Sequence, residues 1–151
     1  MQNLVLVHGF LGGSGQWDAQ IDAFCGRFNV VAVDLPGFGL KSGRHAPERI
    51  VDYADFVLDE LANIGIKSFH LLGHSMGGMI VQEMTARAPE LIESLVLYGT
   101  GPMGIMPGRF ETIEESRRRA AEDGADATAR RIAATWFLNG DKAEQYPVCA
   151  G

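Results

Sequence analysis

The chain predicts an α/β fold, a mostly parallel sheet with helices on both faces. Short apolar runs recur along the first two thirds of the sequence, helical patterns separate them, and turn residues mark the junctions. That alternation is the pattern of βα units, whose strands lie side by side because each connection is long enough to cross over. The chain has 151 residues, 46% of them hydrophobic and 21% charged, which is the size and composition of an ordinary globular domain able to bury a core.

The first strand is expected over residues 4–7, Leu-Val-Leu-Val, close behind the start of the chain. No basic segment followed by a long apolar run precedes it, so these residues read as a strand and not as a signal peptide. A short helix over 17–24 follows, then a second strand over 28–33. Pro47 stands where a helix can begin, and Ile50, Tyr53, Ala54, Val57, Leu58 and Leu61 fall on one helical stripe until Gly65 stops it. The third strand is expected over 68–72. Met79, Ile80, Met84 and Ala88 carry a further helix that ends before Pro89, because proline disfavours helical geometry in the residue before it. The fourth strand is expected over 94–98. All four runs are continuous in apolar character and not alternating, as in strands covered on both faces.

After Tyr98 the texture changes. Gly99, Gly101, Pro102, Gly104, Pro107 and Gly108 punctuate a loop. Glu114 with Arg118 and Glu115 with Arg119 then support a solvated helix over 109–122. A second helix is expected over 125–138, with Ile132, Ala133, Trp136 and Phe137 on its apolar side. The organisation is therefore a sheet core over 1–100 and a helical segment over 101–151.

Charge and cysteine content exclude several classes of function. With 13 Lys and Arg against 19 Asp and Glu, and a formal net charge of -6, the chain lacks the basic footprint of a nucleic-acid binder. Arg117-Arg118-Arg119 is interleaved with glutamates and reads as a solvated helix face. Cys25 and Cys149 lie far apart, so neither a disulfide framework nor a thiolate metal site is expected, and a reducing cytoplasm is the expected compartment. No run is long and apolar enough to span a membrane. Gly12-Gly13-Ser14-Gly15 and Gly37-Phe38-Gly39 lack the spacing of phosphate-binding loops, and no metal or cofactor is expected.

The chemistry concentrates at Gly73-His74-Ser75-Met76-Gly77, a G-x-S-x-G sequence between an apolar strand and a helix. A nucleophile carried on so tight a turn needs room two residues before and after it, which Gly73 and Gly77 supply by lacking a Cβ. Ser75 also falls at the positive end of the following helix, where developing negative charge is favoured. His8-Gly9-Phe10 closes the first strand and is placed to bring a second backbone N–H toward a reacting carbonyl. Met76 N–H and Phe10 N–H are the candidate oxyanion donors. His8 itself is expected to fix its loop, Asp34-Leu35-Pro36-Gly37 to form a turn, and Trp17 to pack against the sheet.

Taken together, His8-Gly9-Phe10, Trp17, Asp34-Leu35-Pro36-Gly37-Phe38-Gly39, Gly73-His74-Ser75-Met76-Gly77-Gly78 and Leu95-Val96-Leu97 resemble the α/β-hydrolase fold family, in its serine-nucleophile, esterase-like branch with a helical cap. The resemblance spans nearly all of 1–100. It implies Ser75 as nucleophile, Phe10 and Met76 as oxyanion donors, and 101–151 as the start of a cap lining an apolar substrate pocket. Phe38, Met103, Ile105, Met106, Phe110 and Trp136 are then the expected substrate-binding side chains, and a small apolar or aromatic ester-like compound the expected substrate.

One departure from the family matters. Its nucleophile is activated by a histidine in the chain order Ser, acid, His. Here no histidine follows His74. His45, His70 and His74 are not expected to act as the base, and none of Asp123, Asp126 and Asp141 is followed by a histidine. Four strands, where the family has about eight, leave two open edges. These observations lead to the expectation of a partial chain completed by a C-terminal half or a complementary chain. A carbon–carbon bond hydrolase, an enol-lactonase or an acyltransferase on the same scaffold is the alternative within enzymes. A non-catalytic ligand-binding protein is the alternative outside them.

Overall fold

The computed structural model describes residues 1–103 and 111–147. The chain divides into two compact units, Met1–Gly104 and Ile105–Gly151. The first carries a four-stranded sheet built from β1 (Gln2–Val7), β2 (Phe28–Val33), β3 (Phe69–His74) and β4 (Ile92–Tyr98), in the order β2-β1-β3-β4. Every neighbouring pair is parallel.

Strand order explains why the helices occupy two faces. The step from β1 to β2 runs one way across the sheet, whereas β2 to β3 and β3 to β4 run the other way. Right-handed crossovers then send the intervening helices to opposite sides. Alternation along β1 confirms the division. Leu4 and Leu6 point into a cluster with the buried Trp17 and with Ile21 and Phe24 of α1 (Asp18–Phe24). Val5 and Val7 point into the larger cluster with Tyr53, Val57 and Leu61 of α2 (Ile50–Asn63) and with Ile80, Val81 and Met84 of α3 (Met76–Arg87). Each fully buried aliphatic side chain contributes about 1.5–3 kcal/mol.

The ends of the helices follow local chemistry. At the end of α2, Gly65 adopts φ +77. Its N–H donates to the Ala62 carbonyl (3.0 Å), and Ile66 N–H donates to Leu61 (2.9 Å). This is a Schellman stop with an apolar residue tucked back beside the last turn. α2 starts three residues after Pro47, with Arg49 as its N-cap. Helix α3 ends at Arg87, ahead of Pro89 as expected.

Two expectations need correction. Among the described residues β4 is not covered on both faces: Val96, Leu97 and Tyr98 are 48%, 45% and 62% exposed, because β4 is an edge strand of the sheet and α3 packs on one side of it. The last helix is also shorter than its apolar stripe implies. In the second unit α4 (Ile113–Asp123) is followed by α5 (Ala125–Ala134), the two separated by Gly124 at φ +84. Beyond α5, Trp136 and Phe137 donate to Ala133 and Ala134 in i→i−3 turns, and Thr135 Oγ1 donates to the Ile132 carbonyl, so neither aromatic residue lies on the helix. α4 opens on Thr112, whose hydroxyl accepts from Glu115 N–H (3.1 Å). On α4 itself, Arg119 pairs with Glu115 as expected, whereas Arg118 pairs with Glu115 and Glu122 in place of the expected Glu114.

Candidate active site

Ser75 is the single residue between the end of β3 and the start of α3, and it makes the reversal with φ 53 and ψ −119. A residue with a side chain held in this region stores of order 1–3 kcal/mol of strain, so the surroundings must over-determine it. They do so through close backbone packing. A Cβ at Gly73 would lie 2.4 Å from the Gly77 carbonyl oxygen, and one at Gly77 would lie 2.4 Å from the carbonyl oxygens of both Val7 and His8. The glycines flanking Ser75 thus let α3 start directly against the end of β1.

Hydrogen bonds hold the backbone of Ser75 itself. Its N–H donates to the Tyr98 carbonyl at the end of β4 (3.1 Å). Its carbonyl accepts from Gly78 N–H (2.9 Å) and from the Thr100 hydroxyl (2.7 Å). The side chain of Ser75 is half-buried, and no described side chain hydrogen-bonds to its hydroxyl.

The loop after β1 lies against this turn. A Cβ at Gly9 would fall 2.9 Å from Ser75 Cβ. His8 anchors the loop from the interior: it is 0% exposed, and Leu35 N–H donates to its Nε2 (3.0 Å). An amide can only donate, so Nε2 is the accepting nitrogen and Nδ1 carries the proton, which it donates to the Gly9 carbonyl (2.7 Å). Burial lowers the His8 pKa below its ordinary value. His8 therefore serves the loop, as expected from the sequence, with both nitrogens occupied.

A second tie comes from Asp34 just after β2, whose carboxylate accepts from Ser14 N–H (2.8 Å) and from the Ser14 hydroxyl (2.8 Å). Burial pushes this carboxyl up, but the Ser14 bonds, the Leu40 amide and the nearby His8 outweigh it, so its pKa lies below the ordinary value.

Phe10 and Met76, the candidate donors, sit on the two segments that meet at Ser75. Among the described residues no hydrogen bond takes up the amide of either. At Met76 this follows from its place at the first position of α3, where an N–H has no acceptor within the helix. The Phe10 ring is 47% exposed and stands edge-on to Phe38, with centroids 5.6 Å apart. Met103 is exposed, and Trp136, in the second unit, is 51% exposed. Ile105, Met106 and Phe110 lie outside the described residues. A groove of about 450 Å³ runs between Pro36, Arg44, Phe56 and Asp59, and none of the candidate residues lines it.

None of the other histidines faces the Ser75 hydroxyl through a hydrogen bond. His45 is exposed on the groove just described. His70 sits near the opposite end of β3 and pairs with the Ser94 hydroxyl (2.8 Å). His74 turns its Nδ1 to the Gln16 amide (2.9 Å) and lies tilted against the Tyr98 ring, and burial lowers its pKa. Gln16 and Thr100 were not among the residues singled out from the sequence. The only local sign of Thr100 is its place between two glycines just after a strand.

The sequence pattern of the alpha/beta hydrolase fold matches residues 2–138, and the chain belongs to that family. It is 34% identical over 103 residues to the dihydrolipoyllysine-residue acetyltransferase component of the acetoin cleaving system of Cupriavidus necator, covering 68% of this chain and 27% of that protein. It is 35% identical over 96 residues to carboxylesterase YbfK of Bacillus subtilis, covering 63% of this chain and 32% of the esterase. Among solved structures, the enol-lactonase from Burkholderia xenovorans LB400 superposes with a TM-score of 0.82 at 25% identity, over 99% of this chain and 56% of the lactonase. The chain thus spans about a third or less of these two curated relatives and just over half of the lactonase chain.

Proposed function

We propose that this chain carries the nucleophile and oxyanion half of a serine hydrolase acting on carboxylic esters or related acyl compounds. The reading rests above all on the backbone of Ser75, a non-glycine residue held at positive φ between strand and helix with the Gly9 backbone against its Cβ. A side chain held in that conformation is strained, and a nucleophile raised above a sharp strand-to-helix turn is a role that calls for such strain. Named esterase and enol-lactonase relatives support the same class of chemistry.

In this mechanism the Ser75 Oγ adds to the acyl carbon while a general base takes its proton. Negative charge gathers on the former carbonyl oxygen, which accepts from Phe10 N–H and Met76 N–H. The tetrahedral adduct collapses to an acyl-enzyme as the base returns its proton to the departing alkoxide. Water, activated by the same base, then releases the acid and regenerates the serine. Each preorganised donor of this kind contributes about 3–4 kcal/mol to lowering the barrier. Since no histidine among the described residues hydrogen-bonds to the Ser75 hydroxyl, the base and the acid that orients it are assigned to polypeptide beyond these residues. Phe10, Phe38 and Met103 present apolar surface in the first unit, which favours an apolar or aromatic group on the substrate.

A fluorophosphonate probe, which reacts only with an activated serine, tests the proposal. The native full-length protein is expected to be labelled, Ser75→Ala to abolish labelling, and the isolated 151-residue chain to react little. Failure of the native protein to react would favour the non-catalytic binding protein instead, a reading consistent with a Ser75 hydroxyl to which no described side chain hydrogen-bonds. Labelling that survives Ser75→Ala would place the nucleophile elsewhere.

A further inference from the structure

The carbonyl of Ser75 and the N–H of Met76 belong to one peptide group. Because a peptide is planar, whatever fixes the direction of its oxygen also fixes the direction of its N–H. The oxygen of this peptide accepts from Gly78 N–H (2.9 Å) and Met79 N–H (3.4 Å) in the first turn of α3, and from outside the helix it accepts its shortest bond, from the Thr100 hydroxyl at 2.7 Å. The other acceptor near that hydroxyl, the Gly101 carbonyl, is 3.4 Å away, so the single hydroxyl proton is committed to Ser75. The Thr100 side chain is also held in place: a Cβ at Gly78 would lie 2.4–2.5 Å from its Cβ, Cγ2 and Oγ1, so the first turn of α3 packs directly on it. Next along the chain, the Gly101 carbonyl accepts from Gln82 Nε2 of α3 (3.3 Å), which pins the same loop to the helix. On the other side of Ser75, its own N–H is tied to Tyr98.

From this geometry we infer that Thr100 is a positioning residue, whose hydroxyl aims the Ser75–Met76 peptide group so that the Met76 N–H faces the oxygen of the reacting acyl group. The inference rests on the reading of Ser75 as nucleophile and Met76 as oxyanion donor. Two effects act together. Orientation is set by the fixed direction of the peptide oxygen. Polarisation follows because a hydrogen bond accepted by a carbonyl strengthens the N–H of the same peptide as a donor. Thr100 touches neither the substrate nor the reacting oxygen and acts only through that peptide.

The test compares Thr100→Val, which keeps the shape against Gly78 and removes the hydroxyl, with Thr100→Ser, which restores it. In the native full-length protein, Thr100→Val is expected to lower kcat for a p-nitrophenyl ester by about ten- to a hundredfold with KM unchanged, as for loss of an interaction made only in the transition state. Thr100→Ser is expected to recover most of the rate. A readout that needs no catalysis is the Met76 amide nitrogen shift in NMR spectra, expected to move in the valine variant and return in the serine variant. An unchanged Met76 shift in Thr100→Val, or a serine variant as slow as the valine one, overturns the inference. If the wild-type protein hydrolyses no ester and takes up no fluorophosphonate, the functional proposal falls alone, and the Met76 shift still decides whether Thr100 sets that peptide.

Discussion

Gly9 lies directly against Ser75: a β-carbon built on residue 9 would sit 2.9 Å from Ser75 Cβ and 3.1 Å from the His74 carbonyl oxygen. The second contact is with backbone and cannot yield by a change of rotamer. Gly9→Ala must therefore push the loop carrying Phe10 away from the turn carrying Ser75. Displacing one donor by a fraction of an ångström to 1 Å is expected to lower kcat about a hundredfold while the protein remains folded. Ester hydrolysis measured beside a melting curve checks this. A variant that keeps full activity would show that the loop does not contribute to the oxyanion site.

Gly77 is confined by backbone on two sides, with the Val7 and His8 carbonyl oxygens both 2.4 Å from where its Cβ would be. Gly77→Ala is expected to lose at least about 1–3 kcal/mol of stability, the range for forcing atoms into a packed interior. Gly15 and Gly26 have nothing within 4 Å of a built Cβ, so the same change at either provides the control. Urea denaturation midpoints of the three variants give the comparison. Equal midpoints would contradict the close approach of α3 to the end of β1.

His8 couples stability to pH. In the unfolded chain its imidazole takes up a proton near the ordinary value of 6.5, whereas burial holds it neutral to lower pH in the folded chain. As pH falls through 6.5 the unfolded state therefore binds more protons, and folding stability declines from there toward acid. The contribution is complete above 6.5. His8→Gln is expected to be less stable at pH 7.5 by about 1–3 kcal/mol, through the buried hydrogen bonds to Leu35 and Gly9 that it disturbs. Its stability is also expected to change less between pH 7 and 5 than that of the wild type, which denaturant titrations at several pH values measure.

What the sequence discloses here is what chain neighbours decide. The strand-to-helix turn was legible because Gly73, Ser75 and Gly77 are close in the chain and their spacing is itself the steric requirement. The α2 stop at Gly65 was legible for the same reason. Apolar periodicity, by contrast, does not reveal where a helix ends when the next aromatic residues happen to continue the stripe, and Trp136 and Phe137 led the last helix too far. Nor does it reveal which strand is outermost, since Val96 and Leu97 are as apolar as Val5 and Leu6 although they are far more exposed. The contacts that hold the candidate site join distant segments: Gly9 to Ser75, Asp34 to Ser14, Gln16 to His74 and Thr100 to Ser75. No local pattern announces such pairs, because they exist only after the strands have taken their order in the sheet.

The edge strand β4 is also the one whose end grips the residue at the turn, through the Tyr98 carbonyl and, two residues on, the Thr100 hydroxyl. The reversal at residue 75 is thus tied to the margin of the sheet by hydrogen bonds at both its N–H and its carbonyl, so the alignment of that margin and the poise of the serine are set together.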